Sequence, residues 1–257
     1  MPEGDTVFRT ARNLHDALAG GEVTRFDIRV PGSATADLTG ERVHEVVPRG
    51  KHLLIRVGAH TLHSHLKMEG EWHVYRPGGR WRKPAFQARA IVGTARAEAV
   101  GFELAMVEVL PTADEDRIVG HLGPDPLSPD WDAAEAARRL RTDDRAVHVA
   151  LLDQRNVAGF GNVYANELLF VRGILPTTPA SQVDAAGLLE TGARMILLNR
   201  DRSGRTFTGD NRPGQRMWVY RREGKPCRRC GTLIRAAQLG ASATSERNVF
   251  WCPSCQR

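Results

Sequence analysis

Four cysteines form the clearest chemical pattern in this sequence. Cys227 and Cys230 are two residues apart, and Cys252 and Cys255 repeat that spacing. Two such pairs let four thiolates converge tetrahedrally on one Zn²⁺ ion, with no ligand position left for a substrate. The stretch between the pairs is slightly longer than usual but suits a β-hairpin. We predict one structural zinc ion; two redox or unrelated thiol pairs are the alternative.

An arginine lies between the two cysteine pairs. Arg247 falls within Glu246–Trp251, where a zinc hairpin would turn. An arginine at such a tip can reach a phosphate or a DNA groove. An ordinary solvated surface arginine is the alternative.

A glycine-containing turn is the second candidate binding site. Residues 151–170 predict a helix that ends near Gln154, a turn, and a new helix from about Asn162. Backbone N–H groups at such a turn bind phosphate, and Gly159 and Gly161 would allow close approach. A plain helical hairpin is the alternative.

The first residues, Met1-Pro2-Glu3, offer a nucleophile. A residue as small as Pro2 permits removal of the initiator methionine, which exposes a secondary amine. An amine that titrates near neutral pH can attack a sugar C1′ and form an iminium ion. Glu3 beside it is a candidate proton donor. The same residues are also a common start of a chain.

A lysine follows a glycine at the entry to a predicted strand, in Arg49-Gly50-Lys51-His52. Such a turn could hold an ammonium group in a cleft. The GxxxxGK[ST] pattern of a phosphate loop is absent. An exposed turn lysine is the alternative.

Three histidines, His60, His63 and His65, lie close together on one predicted strand. His63 and His65 share a face, because side chains alternate along a strand. Without cysteine or carboxylate partners in the pattern, we predict a polar sheet surface that faces a binding partner rather than a metal site.

The first part of the chain combines one helix with short strands. Apolar residues recur every three or four positions from Asp5 to Ala19, which predicts an amphipathic helix. The predicted strands are Val23–Val30, Arg42–Val47, His52–Val57, Thr61–Leu66, Trp72–Tyr75 and Ala88–Val92. This arrangement favours a β-sandwich.

A proline-rich joint at residues 123–129 leads into a helical part. The predicted helices are Asp132–Leu140, Arg145–Gln154, Asn162–Val171 and Ala185–Asn199. A polar stretch at residues 201–216 has the composition of a mobile loop. We predict an α+β protein with three domains, namely 1–123, 130–216 and 217–257.

The chain carries 36 Lys and Arg against 30 Asp and Glu, a net charge of +6. A basic balance favours polyanionic partners such as nucleic acid or an anionic membrane surface. No apolar run approaches the roughly 18 residues of a membrane span, and no secretory signal is visible. We expect a cytoplasmic protein, where clustered cysteines favour metal over disulfides.

These features together resemble one family. The N-terminal Pro-Glu-Gly, the central Arg-Gly-Lys, the Gln-x4-Gly-x-Gly-Asn turn and the paired cysteines resemble the Fpg/Nei family of DNA glycosylases over essentially the whole chain. The resemblance implies an N-terminal β-sandwich with flanking helices, a helix–two-turn–helix domain and a C-terminal zinc finger. It also implies a monomer that acts on damaged DNA at the nucleoid without an organic cofactor.

The resemblance assigns a role to each candidate residue. It makes Pro2 the Schiff-base nucleophile and Glu3 the proton donor that helps open the sugar. Lys51 becomes the lysine that assists β-elimination and contacts phosphate. Asn162 looks like the phosphate-binding asparagine, and Arg247 like the zinc-finger arginine that binds phosphate and assists δ-elimination.

Departures from the family pattern indicate a branch. Formamidopyrimidine-type members carry an Asp-Pro-Arg-Arg-Phe-Gly segment, whose Arg and Phe help fill the DNA gap. Residues 101–110 lack it, and residues 201–216 look short for a purine-capping loop. Both points favour the endonuclease VIII-like branch, which prefers oxidised pyrimidines. The implied wedge loop is Leu66–Gly70, where Lys67 and Met68 would contact DNA and Glu69 adds a carboxylate.

Two other functions compete with an oxidised-pyrimidine glycosylase. The first is a glycosylase for 8-oxoguanine and formamidopyrimidines, against which the missing Arg and Phe count. The second is a non-catalytic zinc-ribbon DNA-binding protein, which would not need Pro2, Glu3 and Lys51 together.

Overall fold

An amphipathic helix, α1 (Gly4–Leu18), opens the fold as predicted. Its buried apolar side chains are Val7, Ala11, Leu14 and Leu18. The main-chain carbonyl of Glu3 accepts hydrogen bonds from the N–H groups of Thr6 and Val7. Glu3 is therefore the N-cap residue of a helix that begins at Gly4. The computed structural model described here covers residues 2–242 and 245–257.

Eight strands follow α1 in the first part of the chain and form two antiparallel sheets. They are β1 (Val23–Ile28), β2 (Val43–Arg49), β3 (His52–Val57), β4 (His60–His65), β5 (Glu71–Tyr75), β6 (Ala88–Thr94), β7 (Glu98–Phe102) and β8 (Met106–Pro111). One sheet has the order β1-β6-β7-β5 and the other the order β2-β3-β4-β8. Because β5 and β6 both pair antiparallel with β7, these two strands run parallel to each other.

The hydrophobic core of this part lies between the two sheets and α1. Leu53 and Ile55 of β3 and Ala90 and Val92 of β6 are fully buried in one cluster with the apolar stripe of α1. The core positions alternate along each strand, as expected for side chains that point to opposite faces. The predicted β-sandwich is therefore confirmed.

Two strands, β7 and β8, are absent from the sequence-based prediction. All five residues of β7 are buried, so the strand shows no alternation of apolar and polar residues. A strand covered on both faces loses the period-two signal from which strands are recognised. Residues 101–110 therefore contain the end of β7, a short connection and the start of β8 rather than one long loop.

A second compact unit begins at Leu122, after the first unit ends at His121 with the short helix α2 (Asp116–Val119). Its helices are α3 (Ala133–Arg141), α4 (Val147–Leu152), α5 (Asn162–Arg172) and α6 (Ala185–Asn199). The predicted helices are thus present. None of the helices in residues 2–242 and 245–257 is long and apolar enough to cross a membrane.

The C-terminal cysteine region forms a hairpin of β9 (Arg235–Leu239) and β10 (Arg247–Trp251). Phe170 of α5 packs with Ile234 and Phe250 of this region in one apolar cluster. The helical part and the hairpin therefore share a core. The predicted α+β class, with sheets first, helices next and a cysteine hairpin last, is confirmed; the domain boundary at residue 216 stays a prediction.

A buried glutamate of α5 fixes the segment that leads into the cysteine region. Glu167 accepts hydrogen bonds from the backbone N–H groups of Trp218, Val219 and Tyr220, at 2.7–2.9 Å. Burial raises the pKa of the Glu167 carboxyl, although these three donors favour its charged form. The carboxylate thus supplies the hydrogen-bond acceptor that water would otherwise provide to these three backbone N–H groups.

Residues 201–216 have no regular secondary structure but are held by specific hydrogen bonds. Oδ1 of Asn199 accepts a hydrogen bond from the N–H of Thr206 at 3.0 Å, and the Thr208 hydroxyl donates to the carbonyl of Gln215 at 2.7 Å. The backbone N–H of Phe207 also donates to the carbonyl of Arg216. The stretch is thus a loop closed on itself by hydrogen bonds, and its mobility stays a prediction.

Candidate functional site

One end of the β-sandwich gathers the candidate residues of the first unit. Helix α1 packs on β2, and its far end is tied to that strand, because the backbone N–H of Gly20 donates to the carbonyl of Val43. Nearer the middle, Nδ1 of His15 accepts the N–H of Val46 at 3.2 Å. The helix and the strand therefore run antiparallel. The start of α1 is directed toward the end of β2, where the turn to β3 carries Lys51.

Pro2 and Glu3 lie immediately before this helix. Pro2 is partly exposed, whereas Glu3 is fully buried. The position suits the predicted pairing of an amine with a carboxyl proton donor.

The turn between β2 and β3 holds Lys51 in a defined conformation. Gly50 has a left-handed backbone with φ of 58°, which glycine adopts without strain. Arg49 pairs with His52 across the hairpin, so Gly50 and Lys51 form its tip. Lys51 is partly buried there.

The predicted wedge loop leaves the same end of the sandwich, between β4 and β5. Lys67 adopts a left-handed backbone with φ of 48°, an uncommon conformation for a residue with a side chain. Gly70 donates its N–H to the carbonyl of Leu66, and a Cβ on Gly70 would lie 2.6 Å from that oxygen. This tight closure pushes Met68 outward, and 54% of it is exposed.

Three histidines form a hydrogen-bonded and stacked group behind Lys51. Nδ1 of His52 lies 2.8 Å from Nε2 of His63, and Nδ1 of His63 lies 2.9 Å from Oε1 of Glu108. The His52 ring also meets that of His65 edge-on at 5.1 Å. His63 is completely buried, so the prediction of a partner-facing histidine surface is wrong at this residue.

Burial keeps these histidines neutral. Desolvation lowers the pKa of His52 to about 3 and that of His65 to about 4, and the nearby charge of Lys51 adds to both effects. Burial also lowers the pKa of His63, against the opposing pull of Glu108. The sequence reasoning missed His52 and Glu108, because their partnership depends on strand register: Glu108 of β8 lies opposite His63 of β4.

In the second unit, a glutamine closes the turn between α4 and α5. The Gln154 amide donates to the carbonyl of Phe160 at 2.9 Å and accepts the N–H of Gly159 at 3.0 Å. Gly159 has φ of 89° and needs to be glycine, whereas Gly161 is extended and caps α5. The N–H of Gly159 is thus occupied by Gln154 and does not point to a ligand.

Asn162, the first residue of α5, is the centre of a buried polar network. Its Oδ1 lies 3.0 Å from Nε2 of His148 and 3.1 Å from the amide nitrogen of Asn166. Its Nδ2 donates to the carbonyl of Asn248 in the cysteine hairpin at 3.0 Å. Burial lowers the pKa of His148 to about 4, so the ring is neutral and donates through Nε2. His148 was not identified from the sequence, where it resembles a residue of an ordinary helix.

Arg247 is the first residue of β10, beside the hairpin connection, and it is exposed. Its guanidinium donates to the carbonyl of Glu246 at 2.8 Å. Asn248 follows Arg247 directly, and its backbone carbonyl accepts a hydrogen bond from the side-chain amide of Asn162. This bond therefore links the start of α5 to the strand that carries Arg247. The two predicted phosphate ligands therefore belong to one hydrogen-bonded assembly within the second unit.

The four cysteines converge as predicted. Their sulfur atoms all lie within 4.8 Å of one another, with 4.0 Å between Cys227 and Cys255 and 3.4 Å between Cys230 and Cys252. A tetrahedral site with Zn–S bonds of about 2.3 Å requires sulfur separations of about 3.8 Å. The backbone N–H of Arg229 also donates to the Cys227 sulfur at 3.4 Å, which favours the thiolate form of that ligand. This donor set fits a single metal ion.

Two family models match the chain. The formamidopyrimidine-DNA glycosylase N-terminal domain matches residues 1–158, and the formamidopyrimidine-DNA glycosylase H2TH domain matches residues 122–196. The chain belongs to the Fpg/Nei family of DNA glycosylases. Family membership places this enzyme among the DNA glycosylases and abasic-site lyases of base excision repair.

Curated relatives of this Fpg/Nei member cover its full length. A probable endonuclease 8 2 of Streptomyces coelicolor is 54% identical over 100% of the chain and 94% of the relative. The DNA-(apurinic or apyrimidinic site) lyase Nei2 of Mycolicibacterium smegmatis is 49% identical over 100% and 99%. A formamidopyrimidine-DNA glycosylase of Methylococcus capsulatus is 33% identical over 100% of both chains.

Solved structures share the fold. Lactococcus lactis formamidopyrimidine-DNA glycosylase, bound non-covalently to DNA with an abasic site, matches with a TM-score of 0.83 at 23% identity, covering 100% of both chains. A MutM protein in complex with DNA that contains carbocyclic 8-oxoguanine matches with a TM-score of 0.82 at 24% identity and the same coverage.

Proposed function

We propose that this enzyme is a bifunctional DNA glycosylase and lyase that excises oxidised bases, pyrimidines foremost, with the amine of Pro2 as nucleophile. The observation that carries the proposal is the position of Pro2 and Glu3 at the start of α1, on a helix directed toward Lys51. An amine, a buried carboxyl group and an ammonium group thus belong to one end of the sandwich. The names of the relatives agree with this chemistry.

The reaction follows from these groups. After removal of Met1, the Pro2 nitrogen attacks C1′ of the damaged nucleotide and loses its proton, and the base leaves with the electron pair of its glycosidic bond and takes up a proton. Glu3 donates a proton to the ring oxygen as the C1′–O4′ bond opens, which leaves an iminium ion between Pro2 and C1′. A secondary amine can form such an ion only when its nitrogen is unblocked.

The iminium ion then acts as an electron sink for strand cleavage. Loss of a proton from C2′ expels the 3′ phosphate, and a second elimination expels the 5′ phosphate. Lys51 assists the first elimination, and Arg247 assists the second. Asn162 and Arg247 hold phosphates by hydrogen bonds that carry no sequence information. Gly161 caps the helix that presents Asn162.

The wedge loop and the metal complete the proposal. The exposed Met68 inserts where the damaged base leaves the stack, and Lys67 contacts a phosphate beside it. The four cysteines hold one Zn²⁺ ion that stabilises the hairpin and takes no part in the reaction.

Two observations support a preference for oxidised pyrimidines. The connection between β7 and β8 is short, and the relatives at 54% and 50% identity are named endonuclease 8.

Borohydride trapping tests the nucleophile. Borohydride reduces an iminium ion to a stable amine, so processed enzyme should become covalently attached to DNA with a thymine glycol or an abasic site. Peptide mapping should locate the adduct on Pro2. A matched protein that retains Met1 or carries an N-terminal tag should bind the same DNA without being trapped.

Two substitutions, Glu3→Gln and Lys51→Ala, distinguish base excision from strand cleavage. Glu3→Gln should slow base excision while still cleaving a preformed abasic site, whose sugar is already partly open. Lys51→Ala should impair strand cleavage as well as excision. If processed wild-type protein binds damaged DNA but is never trapped on it, the lyase mechanism is wrong and the non-catalytic DNA-binding function is favoured.

A further inference from the structure

An exposed aromatic ring lies at the same end of the sandwich as the wedge loop. Phe86 is 76% exposed, more than the exposed Met68 or Met106. It belongs to residues 76–87, which connect the end of β5 to the start of the parallel strand β6 and so return along the whole sheet. Single exposed apolar side chains are common on protein surfaces, so it is the position of this ring, at the end of the sheet that carries the wedge loop, that points to an intermolecular role.

The strand register fixes where Phe86 emerges. Glu71, the first residue of β5, and Ala88, the first residue of β6, both pair with Phe102 of β7. Phe86 precedes Ala88 by two residues, and Met68 precedes Glu71 by three. Both residues therefore lie beyond the same end of one sheet. Their strands are separated by β7, which is about 10 Å at a strand spacing of about 4.8 Å.

The backbone around Phe86 is held by two cationic side chains. The guanidinium of Arg89 donates to the carbonyl of Phe86 at 2.8 Å, and that of Arg29 donates to the carbonyl of Ala85 at 3.1 Å. The ring is thus presented on a fixed turn with positive charge beside it. Aromatic rings next to cations form the stacking platforms on which proteins bind unpaired nucleotides.

The acidic side chains at this end of the sheet are offset by nearby cations. Lys83 bridges Glu71 at 2.5 Å and Glu103 at 2.8 Å, so one ammonium group is shared by two carboxylates. Glu69 of the wedge loop is exposed, and Lys67 lies two residues before it. Arg29 pairs with Asp27, and with Arg89 included the charges balance, so no net negative charge opposes a DNA strand that passes over Phe86.

We propose that Phe86 stacks on an unpaired base of the DNA strand that binds at this end of the sheet, about three nucleotides from the lesion. The spacing follows from the 10 Å offset and a rise of about 3.4 Å per stacked nucleotide. The inference rests on the proposed function, in which Met68 enters the lesion position. Because bases in an intact duplex are already stacked on each other, Phe86 contributes most to single-stranded or locally opened DNA.

The test compares binding of three DNAs that carry a tetrahydrofuran abasic analogue: a single strand, a full duplex, and a duplex with unpaired bases around the analogue. Phe86→Ala should weaken binding to the first and third by about fivefold to 150-fold, the range expected for one stacked base. Duplex binding should change by less than about threefold. Phe86→Trp should restore binding. Val74→Ala, at another exposed apolar residue of the same sheet, is the matched control and should have no effect.

A base analogue locates the contact. The fluorescence of 2-aminopurine, placed one to six nucleotides from the abasic analogue in the single strand, should be quenched by wild-type protein most strongly near the third position. Phe86→Ala should abolish this maximum. Equal affinities of wild type and Phe86→Ala for all three DNAs, or equal losses on all three, would overturn the inference. Failure of wild-type protein to bind any of the three DNAs would instead overturn the proposed function.

Discussion

Nδ1 of His52 lies 2.8 Å from Nε2 of His63, and the two rings stack at 5.0 Å with an angle of 21° between their planes. Because His63 donates through Nδ1 to Glu108, its Nε2 accepts the proton of His52. The chain of donors runs in one direction only when His63 is neutral. Protonation of His63 at Nε2 would place two donors against each other directly behind Lys51.

This relationship predicts a loss of stability in mild acid. The pKa of His52 is lowered to about 3, from an ordinary value of 6.5, and that of His65 to about 4. Between about pH 6.5 and 4 the unfolded chain therefore binds protons that the folded chain excludes, so stability falls as the pH falls. Each such histidine contributes at most about 1.4 kcal/mol per pH unit, which corresponds to about 3–6 °C in Tm per pH unit.

Thermal unfolding from pH 8 to pH 4.5 measures this effect. His52→Gln should reduce the dependence of Tm on pH in this window, because its side chain does not titrate. His60→Gln, at the opposite end of β4, serves as the control and should follow the wild type. A His52→Gln protein with an undiminished pH dependence would contradict the assignment.

Metal removal should loosen the C-terminal region of the second unit. Since a metal site in a small hairpin supplies folding energy, Cys227→Ser should lose the ion and expose Phe250 and its apolar neighbours. The metal content measures the first effect, and limited proteolysis of the region after residue 216 measures the second. The predicted stoichiometry is one zinc ion per chain. Full activity of a verified metal-free protein would argue against a structural metal.

The phosphate contacts predict a steep salt dependence of DNA binding. The logarithm of the affinity should fall by about 0.9 per tenfold increase in salt for each phosphate neutralised. Arg247→Ala should weaken binding to damaged and undamaged DNA alike and reduce this slope by about 0.9. Asn162→Ala should weaken binding by about 10-fold to 150-fold, as for a lost hydrogen bond to a charged group, and leave the slope unchanged.

Arg235→Ala provides the matched control, because Arg235 is another exposed arginine of the same hairpin, on β9. Its removal should change affinity less than the removal of Arg247. Dissociation constants that do not depend on salt would be incompatible with binding through phosphates.

Substrate choice should favour oxidised pyrimidines. Residues 101–110 lack the Arg and Phe of formamidopyrimidine-type members, and Glu103, Leu104 and Ala105 alone connect β7 to β8. Single-turnover excision of thymine glycol and 5-hydroxyuracil should therefore exceed that of 8-oxoguanine opposite cytosine. Faster excision of 8-oxoguanine would assign the enzyme to the formamidopyrimidine branch.

Much of this protein could be predicted from local sequence. The period of apolar residues identified α1, and α6 was predicted with its observed bounds, Ala185–Asn199. The paired cysteines predicted a metal site, because each CxxC turn brings two sulfurs together locally and one ion can be shared by two such turns. Pro2 and Glu3 became candidates only through the family resemblance, and their roles stay a prediction.

Tertiary structure decided what depends on register and connection. The partnership of His63 with Glu108 exists because β4 pairs with β8, and that of Asn162 with Asn248 because the hairpin packs on α5. Phe86 lies at the same end of the sheet as the wedge loop only because a long crossover makes β6 parallel to β5. Hydrogen bonding between strands distant in the chain is set by packing of the whole core, so no local pattern in the sequence records it.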